Sequence, residues 1–181
     1  MSRILKRVAR EPGVLAESDR WRTPFDLYEA LDAEFTFLLD CAADETNHIG
    51  ELWLGPGGVA ENALAVSWAD VVRAPFGVPW GFLNPPYSSN LIAQFVECAA
   101  AQTQTGFAVA MLLPDTHDTR WYRHLRWASE IRRIPHRVPY LKADGSTKAG
   151  AMFPSCVAIF RPQPGVRNPQ PRVVEWTWRQ E

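Results

Sequence analysis

From Phe25 to Phe35 the apolar residues Phe25, Tyr28, Leu31 and Phe35 recur three or four positions apart, with Asp26, Glu29 and Asp32 between them. That spacing predicts an amphipathic helix. Thr23-Pro24 ahead of it has the form of an N-cap followed by proline at the first helical position, and Asp26 falls where a helix N-terminus favours negative charge. Thr36 to Cys41 is a short apolar run that reads as a buried strand ending at Asp40. Asp44 to Pro79 has no sustained period and is rich in glycine, proline and asparagine, which predicts loops and short turns anchored by Trp53 and Trp68.

Trp80 to Leu83 predicts a second strand, which two prolines end in Asn84-Pro85-Pro86-Tyr87. Ser88 or Ser89 then caps a helix carrying Leu91, Ile92, Phe95, Cys98 and Ala99 on one face, and Gly106 closes it. Phe107 to Leu113 reads as a third buried strand. A short helix around Asp118 to Trp127, a strand near Glu130 to Ile134, a turn at Asp144-Gly145 and a strand from Cys156 to Phe160 follow. Val173 to Trp178 alternates well enough for an edge strand or hairpin. Strands alternating with helices imply an α/β sheet of parallel strands. The expected organisation is a polar arm over residues 1–20, one domain over 21–161 and a proline-rich tail or edge strand over 162–181.

Composition refines this picture. With 181 residues and 46% hydrophobic content the chain can bury one core. No apolar stretch approaches the roughly 18 residues of a membrane span, so a soluble, cytoplasmic protein is expected. Cys41, Cys98 and Cys156 are far apart in apolar runs, which reads as reduced core thiols, and no metal site is expected. The formal net charge of -1 hides an asymmetry. Half of the acidic residues lie between Glu17 and Glu51, whereas Arg120, Arg123, Arg126, Arg132, Arg133, Arg137, Lys142 and Lys148 face only Glu130 and Asp144 in their stretch. A basic face can thus exist within a neutral total; a surface laced with salt bridges is the alternative.

The sharpest chemical signal is Asn84-Pro85-Pro86-Tyr87. The exocyclic amine of adenine is a poor nucleophile because its lone pair is delocalised into the ring. An asparagine oxygen and the carbonyl of the following proline can accept hydrogen bonds from that amine and favour the tetrahedral geometry needed for attack on a methyl sulfonium. The prolines hold both acceptors in place, and Tyr87 offers a face for an extruded base. In an open α/β sheet, ligands bind beyond the carboxyl ends of the strands, where Asp40 and Asn84 both fall. Asp40 can accept from the hydroxyls or ammonium of a nucleoside-type cofactor, with Ala42-Ala43 allowing close approach, or it can simply cap a turn. There is no glycine-rich loop after Asp40, which argues against a phosphate-cradling dinucleotide site.

From Trp21 to Phe160 the chain resembles the compact phage-type DNA N6-adenine methyltransferases, a branch of the class I methyltransferases. Trp21-Arg22-Thr23-Pro24 is similar to that family's opening Trp-x-Thr-Pro, Phe37 to Ala43 to its Leu-Asp-x-Ala-Ala strand end, and Trp80 to Ser88 to its catalytic strand and loop. Leu113-Pro114 with Asp118 to Trp121, and Phe153-Pro154-Ser155, are looser matches. The resemblance implies a single-domain, Rossmann-like class I methyltransferase fold, with a mostly parallel sheet and a C-terminal β element. It implies S-adenosylmethionine as cofactor, held by Thr23, Pro24, Asp40, Ala42, Ala43 and Asn84, with Asn84, Pro85, Pro86 and Tyr87 catalytic. DNA is the expected partner, through Tyr87, Ser88, Arg120, Arg123, Arg126, Arg137 and Lys148, in a phage, prophage or restriction-modification setting. A monomer is favoured. Asn62-Ala63 stands where an acidic residue is expected before Leu64, which leaves the ribose-binding carboxylate unassigned. RNA adenine, a protein glutamine, or a catalytically inactive nucleic-acid-binding homologue are the alternatives.

Overall fold

Six strands form one mixed sheet in the order β1 (Phe37–Asp40), β2 (Trp80–Leu83), β3 (Ala108–Pro114), β5 (Ser155–Phe160), β4 (Glu130–Ile134) and β6 (Arg172–Glu175). The structure is a computed structural model and describes residues 17–72, 74, 76–142, 144–147, 153–162 and 170–179. β1, β2 and β3 run parallel, as does the β4–β6 pair, but β5 is antiparallel to both β3 and β4. The expectation of parallel strands is corrected here: the sheet is mixed, because β5 enters at the rim where β3 and β4 end. Among the described residues no helical crossover separates β4 from β5, and a parallel pair needs one. β6 forms the edge by pairing parallel with β4, not as a hairpin.

Both faces of the sheet are covered, so its central strands are apolar throughout and all seven residues of β3 are buried. On one face α1 (Phe25–Phe35) packs Leu27, Leu31 and Phe35 against Phe82, Ala110, Leu112, Val157 and Ile159. On the other, α2 (Trp68–Val71), α3 (Ser89–Gln102) and a 3-10 helix, Trp121–Trp127, cover Leu39, Val109, Met111, Leu113, Cys156 and Ala158. Trp68 is fully buried and is the anchor of the loop region, while Trp53 stacks on His48 at 4.0 Å. The three cysteines are free. No helix among the described residues is long and apolar enough to cross a membrane.

Local differences from expectation have physical causes. Pro24 occupies the N-cap and Thr23 lies one residue further out, so α1 starts at Phe25. Leu27 completes the buried stripe, and Phe25 is 60% exposed because it sits at the edge of that face. The segment around Asp118 is a turn, with the helix proper confined to Trp121–Trp127.

Candidate active site

Asp40 pairs in register with Phe82, so Asn84 leaves the sheet two residues beyond Asp40's partner on the same rim. The Asp40 carboxylate is 5% exposed and accepts from the backbone N–H of Ile49 at 3.1 Å and, more weakly, of Ala42 at 3.4 Å. Burial outweighs these two bonds and pushes the carboxyl from its ordinary value of 3.8 up to about 6. Asp40 therefore caps its own turn and also borders a cavity.

That cavity, about 310 Å³, lies between the β1 and β2 ends, the segment from Asp19 to Thr23 and the loop carrying Asp44 to Leu64. Thr23, Asp40, Ala42, Ala43 and Asn84 all line it, whereas Pro24 is buried outside its wall. The far end is supplied by Leu54, Gly55, Glu61, Asn62 and Leu64; of these the sequence points only to the Asn62–Leu64 segment, and Leu54, Gly55 and Glu61 are not anticipated. Gly55 adopts φ +133°, and a Cβ there would meet the Ala43 carbonyl oxygen at 2.0 Å, so only glycine lets this loop close over the strand end. The run Gly55-Pro56-Gly57-Gly58 was the available signal. Asn62 spends its side-chain oxygen on the N–H of Leu64 at 3.0 Å, capping a 3-10 turn. Among the described residues the exposed Glu61 carboxylate has one long hydrogen bond, 3.4 Å from the Gly57 N–H, and it lines the cavity.

The loop after β2 is held at both ends. Asn84 donates from Nδ2 to the Trp21 carbonyl at 3.2 Å and accepts on Oδ1 from the Tyr87 hydroxyl at 2.7 Å. Ser88 is the N-cap of α3, yet its hydroxyl makes no capping bond; Asp19 accepts from the Ser88 N–H at 2.7 Å instead. A charged acceptor at this end also suits the helix dipole. Asn84 and Pro86 line the cavity, and Pro85 is buried behind them. Tyr87 packs edge-on against Tyr140 and Phe153 and turns its hydroxyl inward, and burial holds that phenol well above its ordinary value.

A second, larger concavity of about 750 Å³ opens on the Tyr87 side of the loop. Tyr87, Asn90, Thr116, Thr119, Arg120, Arg123 and Phe153 line it. On a 3-10 helix residues three apart share a face, so Arg120, Arg123 and Arg126 form one row. Arg120 and Arg123 reach the cleft; Arg126 continues the row outside it, 5.1 Å above the Trp127 ring, which is 43% exposed. Among the described residues none of the three makes an ion pair. The acidic N-terminal region instead meets the basic stretch through Arg132, which bonds Glu34 and Glu130. Arg137 is exposed and lines neither concavity, Ser88 lines neither, and Lys148 lies outside the described residues.

A mixed α/β sheet with a cavity at the carboxyl ends of adjacent parallel strands is consistent with a methyltransferase-like fold. The family model of DNA N-6-adenine-methyltransferase (Dam) matches residues 14–173, and the chain belongs to that family. Its activity is accordingly that of a DNA adenine-N6 methyltransferase, and among the alternative substrates this selects DNA. A search of curated proteins gives no match.

Proposed function

We propose that this DNA adenine-N6 methyltransferase uses S-adenosylmethionine in the 310 Å³ cavity and acts on an adenine extruded into the 750 Å³ cleft, with Asn84 at the boundary between them. One observation carries the reading: the four-residue loop faces two different concavities, Asn84 and Pro86 on one side and Tyr87 on the other. The cavity's chemistry fits the cofactor. Asp40 is a buried acceptor suited to an ammonium, Glu61 an exposed carboxylate with acceptor capacity beyond its one long bond from Gly57 and suited to a ribose diol, and Leu54, Leu64 and Phe95 offer an apolar wall for a purine. Glu61 thereby takes the role that Asn62, committed to its own turn, leaves open.

When bound, S-adenosylmethionine supplies an electrophilic methyl group on a sulfonium. The protein's part is to prepare the amine. Asn84 Oδ1 keeps one lone pair after accepting from Tyr87, and that lone pair with the Pro85 carbonyl draws the two N–H bonds of adenine out of the ring plane. The Tyr87 ring receives the extruded base, while Arg120 and Arg123 hold the flanking phosphates. Residues 21–161 act as one catalytic domain. Incubation with mixed-sequence DNA and methyl-labelled cofactor, followed by nucleoside analysis, should give labelled N6-methyladenine. Label in another nucleoside, or none despite cofactor binding, would contradict the reading.

A further inference from the structure

The Asn84 amide works in only one of its two orientations. With Oδ1 towards the target it accepts an N–H bond; reversed, its NH2 opposes the NH2 of adenine. Two hydrogen bonds choose between them, the Nδ2 bond to the Trp21 carbonyl and the Tyr87 hydroxyl on Oδ1. The second depends on where Tyr87 sends its single proton. Three acceptors lie within reach: Asn84 Oδ1 at 2.7 Å, the Tyr140 oxygen at 2.9 Å and the Leu112 carbonyl at 3.3 Å.

We propose that Tyr140 is a positioning residue for methyl transfer, whose phenol donates to Tyr87 and holds the Tyr87 hydroxyl with its proton towards Asn84 Oδ1, the nearer of the two acceptors then left to it. Tyr140 is fully buried, and its hydroxyl has two partners among the described residues, Tyr87 and the equally buried Ser155 Oγ at 3.3 Å. If Ser155 donates to Tyr140, the Tyr140 proton goes to Tyr87, and the chain Ser155, Tyr140, Tyr87, Asn84 runs in one direction with each donor used once. The reverse direction would place the Tyr87 proton on Tyr140 and leave Asn84 Oδ1 without a donor. Tyr140 is well held for this task. Its ring packs against Trp21 at 5.4 Å, and the next residue, Leu141, pairs with Arg22 through two backbone bonds of 2.8 and 3.0 Å. The segment that supplies the Trp21 carbonyl to one end of the amide therefore also fixes the phenol that controls the other. Burial pushes the Tyr140 hydroxyl up to about 12, so the phenol stays protonated and acts as a donor, not a base.

The inference rests on Asn84 being the amine's acceptor, and the test separates the two. Single-turnover methylation is measured for Tyr140→Phe, Tyr87→Phe, the double variant and Asn84→Ala, with cofactor and DNA dissociation constants alongside. Tyr140→Phe should slow the single-turnover rate about tenfold, the worth of one hydrogen bond, with both dissociation constants within about twofold of wild type. Tyr87→Phe should cost at least as much, and the double variant no more than Tyr87→Phe, because Tyr140 acts only through the Tyr87 hydroxyl. Multiplying losses would mark two independent structural effects and overturn the inference, as would a wild-type rate in Tyr140→Phe or a loss beyond about a thousandfold in Tyr87→Phe. Should Tyr140→Phe fail to fold, Tyr87→Phe decides: a loss between about tenfold and a thousandfold at unchanged affinities supports the chain, and a wild-type rate rejects it. An active Asn84→Ala would remove the acceptor reading itself, whereas an inactive Asn84→Ala beside a fully active Tyr140→Phe would remove only the role of Tyr140.

Discussion

The two sides of the loop from Asn84 to Tyr87 are built from different materials. The cavity side is walled by strand ends and a glycine-dependent loop, is bordered by Asp40 and Glu61, and at about 310 Å³ matches a small molecule. The cleft side is wider, is lined by Arg120 and Arg123 on a short 3-10 helix, and among the described residues has no enclosing loop of this kind. Acceptors buried at strand ends suit a ligand with fixed hydroxyl and ammonium groups; exposed guanidiniums on a curved surface suit a polyanion whose backbone is everywhere alike. Under the proposed function, this contrast is what brings a cofactor and a polymer to the same asparagine.

Variants should respect this division. The largest effect is expected at the boundary: Asn84→Ala should lower the rate at saturating cofactor more than about a hundredfold, as for deletion of one preorganised hydrogen-bonding group. A rate within about tenfold of wild type would break the assignment. Next comes Asp40→Asn, which should weaken cofactor binding by about tenfold or more, seen by calorimetry, and leave the saturated rate nearly intact.

The Asp40 carboxyl also gives the cavity a pH signature. Its folded value of about 6 lies above its ordinary 3.8, so the free folded chain keeps a proton that the unfolded chain loses between those values. This group's contribution to stability is present below about pH 4 and is lost as pH rises through about 6, a change of roughly 3 kcal/mol at most. Cofactor affinity should move the other way, rising through the same window as the carboxylate ionises. In Asp40→Asn both dependences should flatten; an unchanged pH profile of affinity would separate Asp40 from the cofactor.

A smaller effect is expected at the far end of the cavity, where Glu61→Gln should raise the cofactor dissociation constant about tenfold with no change in DNA affinity. An equal response in Asn62→Ala without one in Glu61→Gln would reverse their roles. The smallest effects belong to the cleft. Replacing Arg120 and Arg123 by alanine should reduce the magnitude of the log-log salt slope of DNA binding by about 0.9 for each phosphate left without its guanidinium. Adding Arg126→Ala should change the slope less than either, since Arg126 lies outside the cleft.

The elements with strong local signals were legible in the sequence. β2, the α3 face and the buried β3 followed from proline punctuation and apolar spacing, and Asn84 to Tyr87 stood out because the chemistry requires that order. The direction of β5 was not legible: Ser155 to Phe160 is equally apolar whichever way it pairs, and the choice depends on the rim at which the preceding loop arrives. Apart from Asn62 to Leu64, the far end of the cavity was not legible because its residues belong to a stretch without periodicity, where Gly55 matters through its close approach to Ala43, twelve positions away. Tyr140 was invisible for the same reason: its meaning comes from Tyr87, 53 residues earlier. The even balance of charge left two fates for the basic stretch, and only the structure separates Arg132, paired with Glu34, from Arg120 and Arg123, which line the cleft.

The most direct test of a two-sided loop is to measure both dissociation constants, for S-adenosylmethionine and for DNA, on the same preparations of Asp40→Asn and of the Arg120→Ala, Arg123→Ala double variant. Asp40→Asn should weaken the cofactor by about tenfold or more and leave DNA within about twofold, and the arginine variant should show the converse. If Asp40→Asn weakened DNA as much as cofactor, or the arginine variant bound cofactor poorly and DNA normally, the two concavities would not have the separate roles assigned to them.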